Sequence, residues 1–348
     1  MTGQRIVVAG AGAIGASVAY HLAMLGARDV VLADRAQIAS GATGKAMGGF
    51  RQQFSTEAEV RLAQQSAKLF RELGSPLFDP VGYLFLATTE AGWGRLRERA
   101  ELQRGLGVPV EEVGPETIAG LRTDDVFGAV ACWEDGVAEP AEVTHELVRR
   151  AAGLGLDVRE GVDARDIPRD VLVIACGAGS TELCPDLPIR PLCRQLVDVG
   201  PVAGVPTDLP MTVEDETTFH FRRRGENLRL AMTEPIPRWT SDQVVDEELV
   251  EDWRGRLAHR YPGAAGAPVV RAWAGLYDMT PDAHPIIDWV GDGLYAACGF
   301  SGHGFMQSPA VGRAVAEELL QGEAELDLSP YRLERFSDGG SFPETVVL

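Results

Sequence analysis

Residues 5–34, RIVVAGAGAIGASVAYHLAMLGARDVVLAD, decide the fold. Arg5–Ala9 is an apolar run that predicts a strand. Gly10-Ala-Gly12-Ala-Ile-Gly15 follows without a break, then an apolar helical stretch to Leu25, then Val30–Ala33 closing on Asp34. Strand, glycine turn, helix, strand and acid, in that order, are the parts of a dinucleotide-binding βαβ unit. Gly10 permits the tight turn, Gly12 lets the backbone approach a pyrophosphate, and Gly15 lets helix and strand lie close. Ala13 and Ile14 open the helix, whose free N–H groups and positive dipole end suit phosphate. Asp34 lies 19 residues past Gly15, the spacing of an acid that accepts from an adenosine ribose hydroxyl. Arg35 would suit a 2′-phosphate, but Asp34 would repel one. FAD or NAD is therefore expected rather than NADP.

A chain of 348 residues predicts two domains and a substantial core. No apolar run approaches the length of a membrane span. The N-terminus runs straight into the first strand with no room for a signal peptide, so a cytoplasmic location is expected. A net charge of −19 argues against nucleic-acid or anionic-membrane partners, both of which need cationic surface. Five scattered cysteines (Cys132, Cys176, Cys184, Cys193, Cys298) form no CxxC pair and read as reduced structural thiols, with no metal site. Of 32 basic residues only Lys45 and Lys68 are lysines, so any chemistry that demands a lysine has almost no candidates.

Further along, helices are expected from Thr56 to Leu73, capped by Ser55 or by Thr56 with Glu59 as its capping-box partner, over Glu90–Gly105, and from Glu139-Pro140 to about Ala152. Tyr83–Ala87, Phe127–Trp133, Leu156–Arg159 and Val171–Ala175 read as strands. Only eleven residues separate Arg159 from Val171, too few for a helical crossover, so these two strands must neighbour others in one sheet. From Pro191 the pattern turns β-like (Gln195–Val199, Thr217–Phe221, Asn227–Met232), followed by a helix over Asp246–His259. Strands at Val269–Leu276, Pro285–Asp288 and Leu294–Cys298 precede a helix over Ser308–Leu320 ended by Gly322. The polar tail after Leu326 is expected to wrap the surface. The fold class is α/β, α+β overall: a Rossmann-type domain (1–80, 140–190, 268–330) interrupted by a mostly antiparallel β substrate domain (81–139, 191–267), with a tail at 331–348.

Three more segments read together: ASGATGKAMGGFR (39–51), GLYDMTPDAHPIID (275–288) and GFSGHGFM (299–306). With the opening cassette they resemble the D-amino-acid-oxidase-like FAD-dependent oxidoreductase superfamily, most closely its sarcosine oxidase (β-subunit-like) branch, over roughly residues 4 to 325. The resemblance implies FAD, a small amine or amino-acid substrate under a β-sheet roof, and hydride transfer from a C–N bond to flavin N5, giving an imine. It implies O2 or another electron acceptor and leaves room for partner subunits. A non-catalytic flavin-bearing subunit and, less consistent with GFSGHGFM, an NAD-linked dehydrogenase are the alternatives.

Residue by residue, the resemblance assigns Ser40, Thr43, Lys45, Gly48 and Gly49 to a small-residue loop against the cofactor, Gly177 to a second backbone approach, and Val162 to the adenine. Gly302, His303, Gly304, Phe305 and Met306 would bring N–H groups and a helix N-terminus to the N1 and C2-carbonyl edge of the reduced flavin. Arg51 matches the arginine that grips the substrate carboxylate, and His220 stands on a roof strand where the family often has a tyrosine. Three departures stand out. Gly275 replaces the cysteine that carries covalent flavin in monomeric sarcosine oxidases, so non-covalent FAD is expected. Met306 replaces a carboxylate-binding lysine, which implies a larger or less anionic substrate than sarcosine. Arg229 replaces the lysine that promotes oxygen reduction, keeping the charge on a bulkier group. A strand pair usual in the family is deleted between Val162 and Val171.

Overall fold

The computed structural model describes residues 3–344 and 347–348. The chain lays down β1 (Ile6–Ala9), α1 (Ala13–Met24), β2 (Val30–Asp34), β3 (Gly49–Phe50), α2 (Glu57–Leu73), β4 (Phe78–Asp79), β5 (Tyr83–Ala87), α3 (Glu90–Gly105), β6 (Val110–Val113), β7 (Gly128–Cys132), β8 (Gly136–Ala138), α4 (Pro140–Gly153), β9 (Asp157–Glu160) and β10 (Val171–Ile174). It continues with β11 (Arg190–Val199), β12 (Met211–Glu214), β13 (His220–Arg224), β14 (Asn227–Ala231), α5 (Glu247–Arg260), β15 (Val269–Met279), β16 (Ile286–Gly291), β17 (Leu294–Cys298) and α6 (Gly304–Gln321).

A six-stranded sheet has the order β16-β17-β10-β1-β2-β9, parallel except for the β16–β17 hairpin. As the short connection required, β9 and β10 do not pair with each other. β10 inserts between β1 and β17, and β9 takes the edge beside β2. α1 and α6 cover one face, burying Ile14, Val18, Leu22, Val311 and Val315. On the other face the segment between β9 and β10 folds as a single 3₁₀ turn (Ala164–Asp166), with Ala164 and Ile167 packed on Val7, Val31 and Leu172. Val162 beside them stays half-buried.

The roof is an eight-stranded sheet, β15-β11-β14-β13-β12-β5-β7-β6, antiparallel except where β12 meets β5. The long strand β15 spans Val269–Met279 and pairs with β11 along its length. Residues 269–279, which a boundary at 268 assigns to the flavin domain, are therefore roof. A three-stranded sheet, β3-β8-β4, joins the two layers.

Local chemistry explains where elements start. Thr56 caps α2 through Glu59 N–H, but the Glu59 side chain turns inward to His284 and Gln307 rather than closing a capping box. β13 begins at His220, not Thr217, because Thr217–Thr218 forms the turn from β12, with Thr218 at φ +60°. α6 begins at Gly304, four residues before the expected Ser308. It tolerates Pro309 because the Ser308 hydroxyl donates to the Phe305 carbonyl that the proline cannot serve (2.8 Å). The tail does not merely wrap the surface. Leu328 and Tyr331 enter the core, Arg335 forms a buried pair with Asp282, and Phe342 stacks on His284 at 4.0 Å. Among the described residues no helix is long and apolar enough to cross a membrane, and no cluster of three metal-ligating side chains occurs.

Candidate active site

At Gly10 and Gly15 the β1–α1 turn has no room for a side chain. Gly10 has φ +100°, and a Cβ there would lie 2.4 Å from the Ala175 carbonyl. A Cβ on Gly15 would lie 1.8 Å from the Gly10 carbonyl. Gly15 therefore packs helix on strand, while Gly10, Gly12, Ala13 and Ile14 face a long cavity. Asp34 is drawn into this turn: Oδ2 accepts Ala11 N–H (2.7 Å) and Oδ1 accepts Ala36 N–H (2.8 Å). Thr43 accepts from Ala13 N–H at 3.0 Å and so ties the 42–45 turn to the start of α1.

The cavity encloses about 1750 Å³ of empty space, part of it open to solvent. Asp34, Ser40, Thr43, Lys45, Gly48, Gly49 and Gly177 line it on the nucleotide side; Gly275, Gly302, His303, Gly304, Phe305 and Met306 line it on the last motifs' side. Arg35 and Val162 instead line a smaller adjoining pocket at the Asp34 end, with Arg35 paired to Glu182. Gly302 has φ +94°, and a Cβ there would strike the Tyr277 ring. That glycine brings the N-terminus of α6 to the cavity wall. Gly275 leaves room for the Lys45 stem, whose Cβ would be 3.2 Å from an added methyl; Lys45 Nζ reaches Gln243.

The fit to FAD is therefore structural. A main-chain cradle with space only for hydrogen at its turns sits between a helix start at Ala13 and another at Gly304.

Arg51 and His220 reach the far end of the cavity. The Arg51 side chain is wholly buried. It donates to the Gln53 carbonyl, lies 3.4 Å from His303 Nε2 and stacks 4.1 Å over the Phe54 ring. Burial lowers its affinity for a proton, and the nearby Tyr83, Glu344 and Asp135 oppose that effect. His220 Nδ1 donates to the Thr218 carbonyl at 2.7 Å, which leaves Nε2 as an acceptor. Burial, aided by Arg51 and Arg194, pushes the His220 pKa down to about 4, so the ring is neutral at pH 7.

Arg229 is placed elsewhere. It does not line the cavity; Asp198 holds it through Nε (2.8 Å) and Nη2 (3.1 Å), and it stacks 4.8 Å over Trp273. It also donates to the Ala46 carbonyl at 3.4 Å and lies 3.9 Å from the Glu139 carboxylate. The sequence reading missed Tyr83, Arg194, Tyr277 and Asp278, all lining the cavity. Tyr277 and Asp278 lie inside the GLYDMTPDAHPIID segment already singled out, and their place in that motif was the available signal. Arg194 pairs with Glu234, and Asp278 accepts from Gly299 N–H at 2.7 Å, its pKa raised by burial.

The model of the FAD-dependent oxidoreductase (DAO) family matches residues 5–318. The chain belongs to that family. This oxidoreductase is 28% identical to the bovine (Bos taurus) FAD-dependent oxidoreductase domain-containing protein 1, over 99% of the chain and 87% of the relative. It is also 28% identical to glycine oxidase from Geobacillus kaustophilus, over 95% and 96% of the two chains. The crystal structure of L-proline dehydrogenase from P. horikoshii superposes with a TM-score of 0.90 at 27% identity, covering 97% and 98% of the chains. The protein is an FAD-dependent enzyme of amino-acid-oxidase-like type.

Proposed function

We propose that the protein oxidises the C–N bond of an α-amino or α-imino acid bearing an apolar side chain, with a cyclic imino acid such as L-proline or an N-alkyl amino acid as the first candidates. The observation that carries this reading is the wholly buried Arg51 guanidinium facing the cavity beside the helix start at Gly304 and the neutral His220. A guanidinium out of water clamps a carboxylate bidentately and so fixes the α-carbon in one place. Met211, Ala231, Met232, Met306 and Leu348 line the same cavity and offer an apolar surface to the side chain. FAD, when bound, supplies the two-electron acceptor for the hydride that leaves the carbon bearing nitrogen. The chain's part is to bind and orient. Arg51 takes the carboxylate, His220 Nε2 accepts from the amine N–H, and the N–H groups opening α6 would help hold the cofactor and favour its negatively charged form. The relatives named for glycine and L-proline support this substrate class.

The test is anaerobic bleaching of the bound flavin by glycine, sarcosine, L-proline and N-methyl amino acids, in the wild type and in Arg51→Ala. Removing Arg51 is expected to cost about 3 kcal/mol, on the order of a hundredfold in second-order reduction rate. Equal rates in both proteins would dismiss the anchor, and a fully loaded wild type that no amine reduces would favour a non-catalytic flavin-bearing subunit.

A further inference from the structure

Asp135 is a buried acid that the proposed chemistry does not use. It closes the turn between β7 and β8 and is 0% exposed. β8 pairs with β3 in the register Gly49↔Val137 and Phe50↔Gly136, so the next step along the ladder sets Asp135 across from Arg51. The Asp135 carboxylate bonds the chain just beyond Arg51. Oδ2 accepts the Gln52 backbone N–H at 2.9 Å, Oδ1 accepts Gln52 Nε2 at 2.9 Å, and Gln53 Nε2 approaches Oδ2 at 3.4 Å. Gln53 Nε2 also donates to the Tyr83 carbonyl at 3.0 Å. The loop closes on Arg51 itself, whose guanidinium donates to the Gln53 carbonyl. On the other side Asp135 is anchored through its own backbone, by Gly82 N–H to its carbonyl (2.9 Å) and by its N–H to Cys132 (3.3 Å).

We propose that Asp135 is a positioning residue for the substrate-carboxylate anchor: it fixes the Gln52–Gln53 turn that aims the Arg51 guanidinium into the cavity. This inference rests on Arg51 holding the carboxylate. The physical reason is that β3 has two residues and Arg51 follows it directly, outside the ladder. A short edge segment has few backbone bonds to define its direction, so a carboxylate that gathers three donors supplies what the ladder lacks. Burial pushes the Asp135 pKa up to about 6, against the three amide donors, which leaves an acceptor carboxylate at neutral pH.

The probe is sodium acetate, a bare carboxylate, titrated against FAD-loaded protein and followed by perturbation of the bound-flavin spectrum. Flavin content and melting temperature are measured on the same samples. Asp135→Ala is expected to weaken acetate about tenfold. Asp135→Asn, which keeps an oxygen for Gln52 N–H and can pair its amide with a flipped Gln52, is expected to restore affinity to within about threefold. With a reducing amino acid, Asp135→Ala should raise the half-saturating concentration while the limiting rate of flavin reduction stays within about twofold. Should Asp135→Ala fail to fold, Gln52→Ala removes one of the three donors and is expected to weaken acetate about threefold. Wild-type acetate affinity in the folded Asp135 or Gln52 variants, a loss confined to the limiting rate, or an Asn variant as weak as Ala would each overturn the proposal. Loss in Arg51→Ala without loss in Asp135→Ala removes this inference alone, whereas unchanged affinity in Arg51→Ala removes the anchor and both readings with it.

Discussion

At the nucleotide end of the cavity, the opening βαβ unit presents main chain: Gly10, Gly12 and the N–H groups that start α1 all come within a few residues of one another. At the substrate end, each wall comes from a different part of the chain: Arg51 after β3, Tyr83 on β5, Arg194 on β11, His220 on β13, Tyr277 on β15 and Met306 on α6. The first end works by excluding side chains, and its specification is local spacing. The second works by aiming side chains, and its specification is the register of strands far apart in sequence. Substitutions should divide along the same line, those at the first end abolishing cofactor binding and those at the second altering turnover or stability with flavin in place.

The largest effect is expected at Gly10. Valine there must adopt φ +100° with its Cβ on the Ala175 carbonyl, so Gly10→Val should purify without the visible flavin band and take up no FAD on reconstitution. Next comes the roof. Arg229→Met leaves Asp198, which is 3% exposed, with the more distant Arg224 at 3.7 Å, and breaking such a buried pair costs up to about 3–5 kcal/mol. Thermal unfolding of Arg229→Met should show that loss, and Arg229→Met combined with Asp198→Leu should recover much of it. Since Arg229 stands off the cavity, the limiting rate of flavin reduction should change by less than about fivefold. A collapse of that rate at unchanged stability would return Arg229 to the reaction.

The smallest effect is a pH dependence at the tail. His284 and Glu59 are both fully buried and 2.9 Å apart, with His284 Nε2 donating to the Phe342 carbonyl at 2.6 Å. Burial alone would lower the His284 pKa, but Glu59 and the carbonyl outweigh it and the net shift is upward. A raised histidine pKa contributes stability that is complete below the ordinary imidazole value and fades as pH rises through the folded-state value. Limited proteolysis near Phe342 should therefore quicken on the alkaline side, and His284→Gln should flatten that profile.

The nucleotide half was legible because its rule is short-range: a glycine pattern and an acid a fixed distance on. The strands that local pattern predicts, such as Tyr83–Ala87 and Leu294–Cys298, match β5 and β17. The roof was less so. His220 lines the cavity, while Arg229, nine residues on, lies off it, because which face of a strand in this sheet points inward depends on pairing that no single strand encodes. The same holds for the tail, whose polar composition conceals two buried ion pairs, Arg335–Asp282 and His284–Glu59, in the surface it covers.

Strand β10 sits between β1 and β17, and the helix that follows β17 completes the cavity opened by β1. During synthesis, the segment numbered around 10 must wait for residues beyond 294 before the coenzyme has a second wall to bind against. Flavin capture by this chain is thus expected to come late, after the last strand and helix have formed. A ribosome-stalled fragment lacking the last sixth should emerge colourless, and aggregation in flavin-starved cells should trap nearly full-length polypeptides rather than early ones.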